Sequence, residues 1–210
     1  MSLLFWDWRV RFVDVLSRRR TLVPLAGVVV FSPKPPLKPS WSNFTLQAIV
    51  SKEPMFKIKI IALGKFKEQA FLELEKEYLK RMSSYAKIKI VELPEVPYHG
   101  NQDLDKVKEK EAEKIIKQLP DDGIIILLEE KGTLRNSQDF AQFLQRTGGL
   151  GKELVFVIGS GIGLHGSLKA YSNYSISLSP LTFPHNLARL ILIEQIYRAG
   201  TILAGKEYHK

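Results

Sequence analysis

The stretch LVFVIGSGIGLHGS, Leu154 to Ser167, carries an unbroken apolar run straight into a glycine-rich loop. A short apolar run bounded by turn residues reads as a strand buried on both faces. The loop after it lets backbone N–H and C=O groups come close to a ligand. A dinucleotide is the first ligand such a loop suggests, and the spacing argues against it. The dinucleotide fingerprint sits in the first strand-to-helix turn, spaces its glycines G-x-G-x-x-G and places an acid about 20 residues further on to hold the ribose. Here the order is Gly159-x-Gly161-x-Gly163, the strand is a late one, and no Asp or Glu lies between His165 and Pro184. No Gly-Lys-Ser/Thr follows, so a Walker-type phosphate loop fails as well. A turn-rich loop without a ligand stays open as the plain alternative.

Working outward, strands and helices alternate from Lys57 onward. Strand-like runs occupy Lys57–Leu63, Lys87–Leu93, Ile124–Glu129, Leu154–Gly159 and Tyr174–Ser179. Between them lie a helix with Phe71, Leu74, Tyr78 and Met82 at helical spacing, a charged helix stopped at Pro120, and a helix over Ser137–Arg146. A long apolar helix from Asn186 to Leu203 closes the series. Strands joined by helical crossovers imply an α/β fold with a mostly parallel sheet covered by helices on both faces. In such sheets ligands sit beyond the carboxyl ends of the strands, here the loops EKGT, GSGIGLHGS and PLTFPH. The last helix is apolar on more than one face, which suggests burial against a second copy of the chain. Its Arg189 and Glu194 are not spaced for a local salt bridge.

The chain of 210 residues has 45% apolar and 25% charged residues and no cysteine, which excludes disulfides, thiolate metal sites and cysteine nucleophiles. Its net charge of +9 is unevenly spread. Residues 1–54 carry eight Lys or Arg against three acids, and residues 55–210 carry 23 against 19, so the larger part is only +4. A mildly basic body is compatible with RNA and equally with a solvated surface. Residues 1–54 hold all three tryptophans, an arginine run and the proline-rich SPKPPLKPSW, without a clean period. Their apolar piece TLVPLAGVVVF is too short for a membrane span and is broken by Pro24. Three readings of this leader stand: an over-extended start with Met55 as the true one, an organelle transit peptide, and a functional arm. Lys57, Lys59, Lys87 and Lys89 fit solvated strand faces or sheet margins, and DKVKEKEAEK fits a solvated helix surface.

VFVIGSGIG, LSPLTFPHNLARLILIEQIYRA and the terminal KEYHK, together with KIKIIALGK and LLEEKG, resemble the SPOUT-class methyltransferases of the ribosomal RNA large-subunit methyltransferase H family. The resemblance runs from Met55 to Lys210. It implies a SPOUT-type sheet with a carboxyl-terminal trefoil knot, a homodimer, and no need of a metal or a membrane. The reaction implied is methyl transfer from S-adenosylmethionine to N3 of a pseudouridine in large-subunit rRNA, on the assembled ribosome. Carried over by position, the cofactor site comprises Leu128, Gly159, Ser160, Ser179, Pro180, Leu181, Thr182, Phe183 and Pro184. His185 and His209 are the candidate proton acceptors, imidazole titrating near neutrality, with Arg189 beside them in the catalytic set and Glu194 an outsider. A capping role is the alternative for His185. Arg189 and Arg198 suit RNA phosphate or a partner carboxylate. Arg198, Tyr208 and Lys210 form the expected RNA contacts, the tail combining a ring and cations suited to an unstacked base. The location implied is the cytoplasm, or a plastid or other organelle if the leader is a transit peptide.

One departure stands out. The family usually shows two adjacent glycines, Pro or Ala, a polar or acidic residue, then glycine; this chain has Gly159, Ser160, Gly161, Ile162, Gly163. Ser160 puts a side chain where backbone approaches the cofactor, with Gly161 positioned to relieve the crowding, and Ile162 removes a polar group. A non-catalytic SPOUT-like RNA-binding or ribosome-assembly protein is therefore the second expectation. A nucleotide-dependent oxidoreductase, lacking the ribose acid, is the third.

Overall fold

The computed structural model describes residues 54–100 and 102–206. The leader up to residue 53, and the candidate residues Tyr208, His209 and Lys210, lie outside them. The elements are β1 (Phe56–Leu63), α1 (Gln69–Met82), β2 (Ala86–Leu93), α2 (Leu104–Ile116), β3 (Gly123–Leu134), α3 (Ser137–Gly148), β4 (Glu153–Ile158), a short 3-10 helix (Gly166–Tyr171), β5 (Tyr174–Ser177) and α4 (His185–Leu203). The strands form one sheet in the order β2-β1-β4-β3-β5. Every neighbouring pair is parallel, as the helical crossovers require.

Strand periodicity decides what each face buries. Phe56, Ile58, Ile60, Ile126, Leu154 and Phe156 point to one side, where they meet Met82, Phe140, Leu144, Leu192 and Ile196 of α1, α3 and α4. Ile61, Leu63, Ile125, Leu127, Val155 and Val157 point to the other, against Ala112 and Ile115 of α2 and Leu168 of the 3-10 helix. Helices therefore cover both faces, as expected. Two of them start at side-chain caps: Asp103 accepts from the Asp105 N–H at 3.0 Å and Asn136 from the Asp139 N–H at 2.8 Å.

Three expectations change. The apolar faces of α4 are buried within the chain, because the helix lies against both α1 and α3 with Leu190, Leu192, Ile193 and Ile196 enclosed; a second copy is not needed to account for them. Lys57, Lys87 and Lys89 are exposed, the last two on the edge strand β2, but Lys59 is half-buried and its Nζ donates to the Gln118 carbonyl at 2.6 Å. Third, β3 runs past Glu129. Its register slips between Leu128 and Thr133, and Thr133 and Leu134 then pair again with Ile176 and Ser177 of β5.

Gly132 makes this second pairing possible. A Cβ there would stand 2.4 Å from the Ile176 carbonyl carbon and 2.7 Å from the Ser177 nitrogen, all of it backbone that cannot swing aside. Gly132→Ala should cost at least about 2 kcal/mol in urea unfolding, the upper part of the range for overpacking. Gly161→Ala, with nothing within 4 Å of the added carbon, should stay within about 0.5 kcal/mol of the parent.

Candidate active site

With all strands parallel, the loops that follow them emerge along one edge of the sheet. There the ends of β3, β4 and β5 enclose a cleft of about 700 Å³. Of the nine residues expected at the cofactor, Leu128, Gly159, Ser160, Ser179, Leu181, Thr182, Phe183 and Pro184 line it; Pro180 sits in the same loop without lining the cleft. Leu181 is 72% exposed, so it is a wall of the cleft and not a core residue.

The loop after β4 is a tight turn. The Gly163 N–H donates to the Ser160 carbonyl at 3.0 Å, and Gly163 takes φ +84°, a left-handed conformation suited to glycine. A Cβ on Gly159 would fall 2.9 Å from the Gly163 carbonyl carbon, so the turn itself demands both glycines. Gly161 faces open space. The Ser160 hydroxyl donates to Glu111 Oε2 at 2.8 Å. The loop after β5 is internally braced: the Ser177 hydroxyl donates to the Ser179 carbonyl and Ser179 Oγ accepts from the Leu181 N–H, each at 2.9 Å. Across the cleft mouth, the Thr182 hydroxyl donates to Glu130 Oε1 at 2.8 Å.

His185 lines the cleft as the first residue of α4. It does not cap that helix; Pro184 occupies the cap position and no side chain bonds there. The ring instead points Nε2 toward Glu95 Oε1 at 3.4 Å. Gly64, with φ +85° at the end of β1, leaves room for it, since a Cβ there would lie 2.9 Å from Nε2.

Arg189, one turn further along α4, is not brought to the cleft. It is 3% exposed, with Nη2 2.5 Å from Glu75 Oε2 and Nη1 donating to Glu92 Oε1 at 2.7 Å. Its guanidinium lies 4.2 Å from the centre of the Phe66 ring. The pairing missed along α4 is reached through the tertiary fold, with α1 and β2 supplying the carboxylates. Burial pushes the Glu75 carboxyl above its ordinary value, against the pull of Arg189. Arg198 also lies away from the cleft, where Nε and Nη2 both donate to Glu194 Oε1, at 3.0 and 2.7 Å. That local pair accounts for Glu194 as well.

Sequence reasoning missed Glu130, Lys108, Lys131 and Lys169, which line the cleft, and Glu95 and Glu111, which contact its lining residues His185 and Ser160. The helix read as a solvated surface supplies two of these. Lys108 is half-buried at the cleft and Glu111 is 2% exposed. Among the described residues no group of three His, Asp or Glu side chains is arranged to hold a metal ion, and no helix is long and apolar enough to cross a membrane.

Arg189→Met should lose about 3 kcal/mol in urea unfolding, since it leaves two carboxylates facing each other near the core. The raised Glu75 group gives a second outcome. The folded chain takes up that proton before the unfolded chain does, so stability relative to Glu75→Gln should rise as pH falls through the raised value and level off below its ordinary 4.5. Paired unfolding curves between pH 7 and pH 4 test it.

Residues 56–209 match the family described as predicted SPOUT methyltransferase. The chain is similar to proteins named ribosomal RNA large subunit methyltransferase H. That of Caldicellulosiruptor saccharolyticus is 41% identical over 153 residues, covering 73% of this chain and 99% of the relative. That of Desulforamulus reducens is 43% identical over 160 residues, covering 74% and 100%. A Listeria monocytogenes relative of the same name is 41% identical over 157 residues, covering 73% and 99%. A parallel sheet with its cleft at the strand ends and a match over nearly all of the described residues lead to one assignment: the chain belongs to the SPOUT methyltransferase family.

Proposed function

We propose that this protein methylates N3 of a pseudouridine in large-subunit rRNA, with S-adenosylmethionine as donor and the assembled ribosome as substrate. The observation that carries the reading is the cleft, where the three strand-end loops expected to hold the cofactor converge. Support for the rRNA substrate comes from the relatives' name and from their being matched over their whole length.

The residues present fit the donor. Leu128, Ile158, Ile176, Leu181 and Phe183 offer apolar walls to an adenine, and the loops around Gly159 and Ser179 offer backbone amides and carbonyls to its edge. Once bound, S-adenosylmethionine supplies a methyl group already activated on a sulfonium. The chain has two tasks left: to align the acceptor nitrogen and to take up its proton. In this reading the cleft loops do the first. His185 does the second, its ring held by Glu95 at the cleft wall; His209 is the other candidate. Arg189 serves the reaction by anchoring α4, and through it His185, to β2 and α1. Arg198, Tyr208 and Lys210 complete the reading as RNA contacts, with a homodimer as the working unit and a carboxyl-terminal knot as its fold. The cytoplasm is the proposed location, unless the leader directs the chain to an organelle.

The test is to incubate the full chain with methyl-labelled S-adenosylmethionine and ribosomes lacking the modification, and to digest the rRNA to nucleosides. Label should appear in N3-methylpseudouridine and disappear when the ribosomes lack pseudouridine. Cofactor binding without label would favour the non-catalytic reading, and neither binding nor label would end both.

A further inference from the structure

Glu111 is a buried carboxylate on α2, and among the described residues it has no cation as ion-pair partner. Such a group is costly unless donors satisfy it. Two donors do, one on each oxygen. The Ser160 hydroxyl reaches Oε2 at 2.8 Å and the Val96 N–H reaches Oε1 at 3.0 Å. One turn further along α2, Lys114 Nζ donates to the Pro94 carbonyl at 2.9 Å. The segment after β2 is therefore pinned on both sides of Glu95, whose carboxylate faces His185. The other arm of Glu111 holds the residue at which the glycine turn departs from the usual pattern.

We infer that Glu111 is a positioning residue that sets both halves of the cleft: the Gly159–Gly163 turn through Ser160, and His185 through Val96 and Glu95. The inference rests on the cofactor and proton-acceptor roles proposed above. It makes Ser160 a working part of this chain's cleft, because a glycine there would leave one oxygen of a buried carboxylate without its donor.

The test separates the two arms. The full-length parent, Ser160→Ala, Ser160→Thr, Glu95→Gln, Glu111→Ala and Glu111→Gln are compared for S-adenosylmethionine affinity by calorimetry and for single-turnover methylation of unmodified ribosomes at saturating donor. Ser160→Ala should weaken donor binding roughly tenfold, as expected for loss of one charge-assisted hydrogen bond. Ser160→Thr, keeping the hydroxyl, should restore the affinity. Glu95→Gln should leave affinity within about twofold and slow the saturated rate by roughly tenfold or more. Glu111→Ala should show both losses. Glu111→Gln, able to accept from Val96 and donate to Ser160, should recover most of each.

If Ser160→Ala binds the donor like the parent, or Glu95→Gln turns over like the parent, the inference is overturned while the proposed function stands. A parent that binds no donor overturns both. Should Glu111→Ala not fold, Glu111→Asp, which draws the carboxylate back from both donors, should show the same two losses, and parent-like affinity and rate in it would overturn the inference.

Discussion

The cleft depends on one constraint of connectivity: β3 lies between β4 and β5, and all three run the same way. Parallel neighbours deliver their following loops to the same edge, so the segments after Leu128, Ile158 and Ser177 meet although long stretches of chain separate them. The constraint tightens at Gly132, where β3 slips register and closes again on β5 with backbone against backbone. That contact fixes the distance between two walls of the cleft.

Charge fixes the third wall. The Pro184–His185 junction and the start of α4 are held against the amino-terminal half by carboxylates, Glu95 to His185 and Glu92 with Glu75 to Arg189. A helix as apolar as α4 can slide between greasy neighbours with little penalty. A buried guanidinium with two fixed partners and an aromatic ring beside it cannot, which is the registry role best attested for interior ion pairs. The 3% exposure of Arg189 marks it as part of the framework, and the half-buried ring of His185 is what that framework presents to the cleft.

Much of this was legible in the sequence. The period of apolar residues located all five strands and four helices, since each buries a face whose spacing differs between strand and helix. The strand-end rule picked the three loops before any likeness was invoked. What the period could not show was anything set by contacts across the fold. Glu111 looks like its neighbours Glu109 and Glu113, and only the arrival of Ser160 and Val96 distinguishes it. Arg189 had no local partner, and its true partners lie on α1 and β2. The re-pairing of β3 was hidden because EEKGT reads as a turn, and the 3-10 helix Gly166–Tyr171 was hidden inside a glycine-rich loop.

The order of the elements along the chain has one more consequence. Ribosomal synthesis releases β1 to β4 first, with α2 to cover one face of the sheet, while Leu192, Ile193, Ile196 and Ala199 in the core of the other face belong to α4. The loop Ser177–Pro184 and helix α4 emerge last, and they form one wall of the cleft and the seat of His185. A growing chain therefore lacks both the closed core of one sheet face and the cleft until its last helix is in place. One helix thus completes the interior and the cleft together, and a chain cut short before Ser177 loses both.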